Sequence, residues 1–210
     1  MDEKYRNENI RYQGQFVKDK EVGVFKFYSE FYSTNALIVK TYTFGNPISK
    51  VQYFTQTGKK ESEGKLNGKT RIGKWTYFGR TGENVVLQES YVNDKLSGKK
   101  RVFYPDGSLT ELNHYKNWRL HGESIRYTDK GKLIAKVPYE NGKIHGKIFY
   151  YHHTGMIRET GFYDEGKRVG RWEFYIDGVL AGFEEPNKKK LKVSISLEEI
   201  KKRKEIKNTK

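Results

Sequence analysis

The sequence predicts an all-β protein: an elongated, single-layer antiparallel sheet of about seven consecutive β-hairpin repeats of about 24 residues, ending in a short C-terminal strand and helix that cap it. Three observations lead there. Gly73, Gly98, Gly122, Gly146 and Gly170 stand 25, 24, 24 and 24 residues apart, and counting back through Ser49 reaches Gly23. Aromatic residues keep the same register, with Phe16, Tyr42, Tyr91, Tyr115, Tyr139 and Tyr163 (Leu66 in the third unit) seven before the markers, and Tyr28, Phe54, Phe78, Phe103, Tyr127, Tyr151 and Tyr175 five after. Turn residues arrive every 10 to 12 positions, so no helical period survives between residues 5 and 183.

The chain opens with half a unit, because Tyr5 to Phe16 aligns with His152 to Tyr163 and places Gly14 where Gly161 stands. Each later unit reads as one hairpin. In the unit from Gly146, the β-forming run Lys147-Ile148-Phe149-Tyr150-Tyr151 is broken at His153-Thr154-Gly155, and Met156 to Phe162 runs back. The turn Tyr104-Pro105-Asp106-Gly107 puts Pro where φ near −65° is wanted and Gly where a left-handed residue closes the hairpin. Linkers repeat as well: Tyr139-Glu140-Asn141-Gly142-Lys143 returns as Tyr163-Asp164-Glu165-Gly166-Lys167. The array occupies residues 1–185. Pro186-Asn187 ends it, and 186–210 forms a basic tail in which Leu191, Val193 and Ile195 alternate like an edge strand and Ser196-Leu197-Glu198-Glu199 opens a helix through Ile206 with capping-box spacing.

Composition agrees with a thin sheet. Only 35% of residues are hydrophobic while 15% are aromatic, which suits rings that cover neighbouring rungs better than it suits a thick core. With strands about 4.8 Å apart, seven hairpins give a sheet on the order of 70 Å long before twist shortens it.

The string Tyr-Glu-Asn-Gly-Lys-Ile-His-Gly-Lys at 139–147, with Tyr150-Tyr151 and Gly155 after it, resembles the MORN repeat in its longer-linker bacterial variant, over roughly residues 5–183. The first two full units depart from that pattern, with Pro47-Ile48-Ser49 in place of the usual linker end, and the tail lies outside it. The resemblance implies a non-catalytic surface for proteins or acidic lipids, and similar bacterial chains are often labelled antitoxins of toxin–antitoxin or toxin–immunity pairs.

Charge is the strongest clue that is independent of this resemblance. The formal net charge is +15, and ten Lys or Arg against three Glu give residues 186–210 a charge of +7. Lys188, Lys189, Lys190 and Lys192 form one cluster and Lys201, Lys202, Arg203 and Lys204 a second, both suited to an anionic contact. Trp118 replaces the turn glycine column held by Gly142 and Gly166 and is expected either to protrude or to fold over the neighbouring turn; exposed, it is a candidate contact residue, with Tyr127, Tyr151 and Tyr175 as further partner-binding candidates. The periodic aromatic columns read first as a structural ladder. The function expected is therefore a protein-binding scaffold, an antitoxin or immunity protein being one form of it with an acidic toxin as partner. An adaptor for anionic, phosphoinositide-type membranes is the alternative, and nucleic-acid binding stands third.

Catalysis, cofactors and metals are not expected. The chain has no Cys, and no Gly-x-Ser-x-Gly or Gly-x-x-x-x-Gly-Lys-Ser/Thr motif occurs. His121 and His145 share a column in successive units, which puts them about 10 Å apart, too far for a common zinc. Residues 1–4 lack the features of a secretory signal and no apolar run approaches the length of a membrane span, so a soluble cytoplasmic protein is expected; the start in mid-unit leaves room for a leader removed from a precursor.

Overall fold

A computed structural model describes residues 2–31 and 34–186. The fold is all-β: an open antiparallel sheet with its strands in hairpin order, and among the described residues no helix. None is therefore long and apolar enough to cross a membrane. The expected C-terminal strand and helix, with both basic clusters, lie outside the described residues. The chain divides into two compact units at Ser108/Leu109, inside the stretch read above as one array.

The first unit holds β1 (Asp2–Lys4), β2 (Ile10–Val17), β3 (Lys20–Phe27), β4 (Ile38–Tyr42), β5 (Ile48–Phe54), β6 (Lys60–Asn67), β7 (Thr70–Phe78), β8 (Val85–Val92), β9 (Lys95–Leu96) and β10 (Gly98–Phe103). The second holds β11 (Leu109–Lys116), β12 (Arg119–Leu120), β13 (Gly122–Tyr127), β14 (Leu133–Glu140), β15 (Lys143–Ile144), β16 (Gly146–Tyr151), β17 (Ile157–Asp164), β18 (Lys167–Ile176) and β19 (Val179–Glu184). Where the sequence suggests that each marker residue starts a strand, two geometries occur. Strands β3, β7 and β18 run through Gly23, Gly73 and Gly170 without a break. At Ser97, His121 and His145 the strand is interrupted, and their amides donate to the carbonyls of Ser90, His114 and Pro138 at 2.8, 2.9 and 3.0 Å. Two extra residues are taken up at each of these points, and the uninterrupted strands carry the same shift opposite Gly14, Gly64 and Gly161.

The two geometries follow from what stands at one cross-strand position. Where the strand is continuous, a large ring crosses a glycine of the preceding strand: Phe25 over Gly14, Trp75 over Gly64, Trp172 over Gly161. A Cβ built on Gly161 would lie 2.4 Å from Cδ2 of Trp172, so only a bare backbone admits the ring. In the interrupted repeats the same position pairs smaller or charged side chains: Glu89 with Lys100 (3.6 Å), Asn113 with Ser124, Val137 with Ile148.

In the second unit Ala135, Val137, Ile148 and Trp172 form the buried core, flanked by Tyr139, Tyr150, Tyr163 and Phe174. Tyr163 meets Trp172 edge-on at 5.1 Å and the Arg168 guanidinium stacks 3.9 Å over the indole, tied by Glu159 at 2.9 Å. The first unit repeats this arrangement: Arg71 stacks 4.0 Å over Tyr91, 6.0 Å from Trp75, and is held by Asp94 at 3.1 Å. Rings from adjacent rungs and an arginine lid thus do the covering that a second layer does in a sandwich.

This burial has a pH consequence. Desolvation, helped by the Glu21 carboxylate, pushes the Tyr42 phenol from its ordinary 10.0 up to about 12. Burial likewise raises Tyr53, Tyr139 and Tyr150. Folding favours the neutral phenol, so this contribution is complete below the unfolded value near 10 and is lost as pH rises towards about 12. Phenolate absorbance should show a late-titrating class of tyrosines that merges with the rest in denaturant. Uniform titration of all 16 tyrosines near the ordinary value in the folded protein would contradict the burial described here.

Candidate functional site: the turn row around Trp118

The pairs Tyr115 with Leu120 and Lys116 with Arg119 leave Asn117 and Trp118 as a two-residue turn between β11 and β12. Both are left-handed, at φ 49° and 69°. This is the turn that matches sheet twist and that takes Asn-Gly most readily; Asn141-Gly142 and Glu165-Gly166 make it in the next two repeats. A bulky L-residue at the second position costs roughly 1–2 kcal/mol. Trp118 nonetheless stands there with 55% of its surface exposed, the first of the two outcomes expected from its place in the glycine column.

Successive turns are fastened to one another. The Gly142 amide donates to the Leu120 carbonyl and the Gly166 amide to that of Ile144, each at 2.8 Å. Lys143 reaches the next turn to bond Glu165 at 2.6 Å, and that contact holds the Glu165 carboxyl below its usual range. Arg119 adjoins Trp118, and its Cβ lies 3.9 Å from where a Cβ on Gly142 would stand. The result is an exposed aromatic anchor beside an arginine and a rim of charged turn residues. Nothing in the sequence marks Arg119, Lys143 and Glu165 apart from their places in the turn columns around Trp118.

The three tyrosine candidates stand elsewhere. Tyr127 and Tyr151 close β13 and β16 beside bulges, opposite Leu133 and Ile157. Tyr175 in β18 faces Leu180 and donates to Glu173 at 2.8 Å, and its phenol is raised by burial first and by Glu173 second. All three are half-buried, and Tyr151 stacks on Phe149 at 6.4 Å. From the Trp118 turn to Tyr127 the strand runs for about eight residues, or roughly 26 Å. Trp118 and the tyrosine column therefore occupy opposite ends of the strands and do not form one patch.

Strand β16 ends at Tyr151, so His152 and His153 sit in the turn that follows, where the His152 amide donates to Met156 at 2.9 Å. Among the described residues no three His, Asp or Glu side chains gather in a metal-binding group. No protein-family model matches the chain, and no curated protein matches it.

Proposed function

We propose that this chain is a non-catalytic repeat scaffold that binds a partner protein, with the turn row of residues 109–186 as the contact and Trp118 as its anchor. The observation that carries the reading is the exposed, left-handed Trp118 at a position where the neighbouring repeats place glycine. Strain of this kind persists where the residue has another use, and Trp and Arg are both enriched at the energetic centres of interfaces. The resemblance to MORN-type arrays supports the same class, with toxin neutralisation as one form of it.

The test compares the wild-type chain with Trp118→Gly and Trp118→Ala as baits in lysate of the source cell, retained proteins being quantified by mass spectrometry. A partner held by the wild type and lost from both variants is expected. Equal retention by all three would remove Trp118 from the interface.

A further inference from the structure

A second candidate surface lies within residues 1–108. Across five consecutive strands runs a transverse row of Thr41 (β4), Lys50 (β5), Lys65 (β6), Lys74 (β7) and Ser90 (β8). Lys50 is directly opposite both Thr41 and Lys65, and Lys74 is opposite Ser90; Lys65 itself pairs with Ile72, and Lys74 stands beside it where the register shifts. The three lysines are exposed, and with Thr41 they line an open depression of about 350 Å³. The hydroxyl-bearing Thr76 lines it too and is only 7% exposed. We propose that this row binds an anion made of two or three linked phosphate groups.

Three features of the row point to a ligand instead of a merely solvated face. First, like charges directly opposite one another destabilise a sheet, yet Lys50 and Lys65 are a cross-strand pair. Lysine serves elsewhere to keep edge strands from pairing, but β5, β6 and β7 are each hydrogen-bonded on both sides, so that role is closed here.

Second, the charges at the corresponding positions of the second unit are paired with an opposite charge or stacked on rings. Glu123 pairs with Lys136 at 2.7 Å, and Lys147 lies over Phe149 and Phe162 at 5.2 and 5.8 Å. In the depression the one carboxylate, Glu63, is taken up by Gln52 at 3.2 Å and Lys60 at 3.0 Å. Third, the folded charge is uneven: Lys and Arg outnumber Asp and Glu by 19 to 12 in residues 1–108 but only by 12 to 11 in 109–185.

The donor set selects the ligand chemistry. Ammonium groups act on phosphate as point charges, hydroxyls add directed hydrogen bonds, and the row from Thr41 to Ser90 has no ring on which a base could stack. Two strand spacings separate Lys50 from Lys74, about 10 Å, a span that a linear chain of three phosphates covers while orthophosphate does not.

The full-length chain is titrated calorimetrically with tripolyphosphate and with orthophosphate at low ionic strength. Each of two triple variants loses the same charge, Lys50→Gln/Lys65→Gln/Lys74→Gln in the row and Lys188→Gln/Lys189→Gln/Lys190→Gln in the tail. The expected result is tripolyphosphate binding that weakens about tenfold or more in the row variant and stays within about twofold in the tail variant, with orthophosphate weaker throughout. Thermal unfolding should show the row variant at least as stable as wild type, since repulsion has been removed. Lysine acetylation read by mass spectrometry gives a second measure: tripolyphosphate should shield Lys50, Lys65 and Lys74 and leave the exposed Lys20 and Lys69 unchanged. Absence of binding, equal loss in the two variants, or shielding confined to the tail would overturn the proposal.

Discussion

Trp172→Ala is expected to lower the stability of its rung by about 3–5 kcal/mol, the range for removing a fully buried aromatic side chain. Trp172 has no exposed surface and joins the core residues Ala135, Val137 and Ile148 to the Arg168 lid. Gly161→Ala should harm the same place from the other side, because its methyl carbon would enter the indole at 2.4 Å and force ring and strand apart, at about 1–3 kcal/mol or more. Trp172→Phe should cost far less than Trp172→Ala. The buried indole N–H has no hydrogen-bond partner among the described residues, and Phe25 already holds this position over Gly14. The decisive case is the double variant Gly161→Val/Trp172→Ile, which copies the Val137 and Ile148 pair found one repeat earlier. It should be more stable than the sum of its single changes predicts. A repeat array need not unfold in one step, so the measurement is amide exchange in β17 and β18 beside a global denaturation curve. Unchanged exchange in Gly161→Ala, or strict additivity in the double variant, would refute the size-matching account.

Trp118→Gly is expected to move stability and binding in opposite directions. Glycine relieves the left-handed strain at φ 69°, so the chain should gain roughly 1 kcal/mol. Loss of a hot-spot Trp should meanwhile weaken the partner complex by about 2 kcal/mol or more, roughly thirtyfold. Trp118→Ala separates the two effects: it keeps the strained backbone and loses the ring, so affinity falls without the gain in stability that glycine brings. Chemical denaturation and titration of the captured partner read the two quantities independently. A destabilised glycine variant would mean that the Trp118 ring supports the fold, and the interface would then have to be sought elsewhere.

The hairpins, their turns and the exceptional place of Trp118 were legible in the sequence because each depends on residues close together in the chain. Asn117-Trp118 in the column of Asn141-Gly142 needs no tertiary information to be read as an aberrant turn. The pairing of Gly161 with Trp172 was half visible, since Gly14 and Gly161 aligned, but the reason for the glycine lies on the next strand. The lysine row was hidden for a related cause. Lys50 and Lys74 belong to one column of the repeat and Lys65 to another, and they become neighbours only when β5, β6 and β7 pair in this register. The division at Ser108/Leu109 left no mark in the period, which runs through it unchanged.

Periodic chains carry a hazard of their own: a strand displaced by one whole repeat finds an almost equivalent neighbour. The cross-strand position that holds glycine against tryptophan, glutamate against lysine and valine against isoleucine makes such misalignments unequal. Slipped back by one rung, the Trp172 ring would collide with Val137, and Lys100 would meet Gly64 in place of its acid. Each hairpin therefore carries an address, and the order of the rungs is specified by fit even though their outlines are nearly the same.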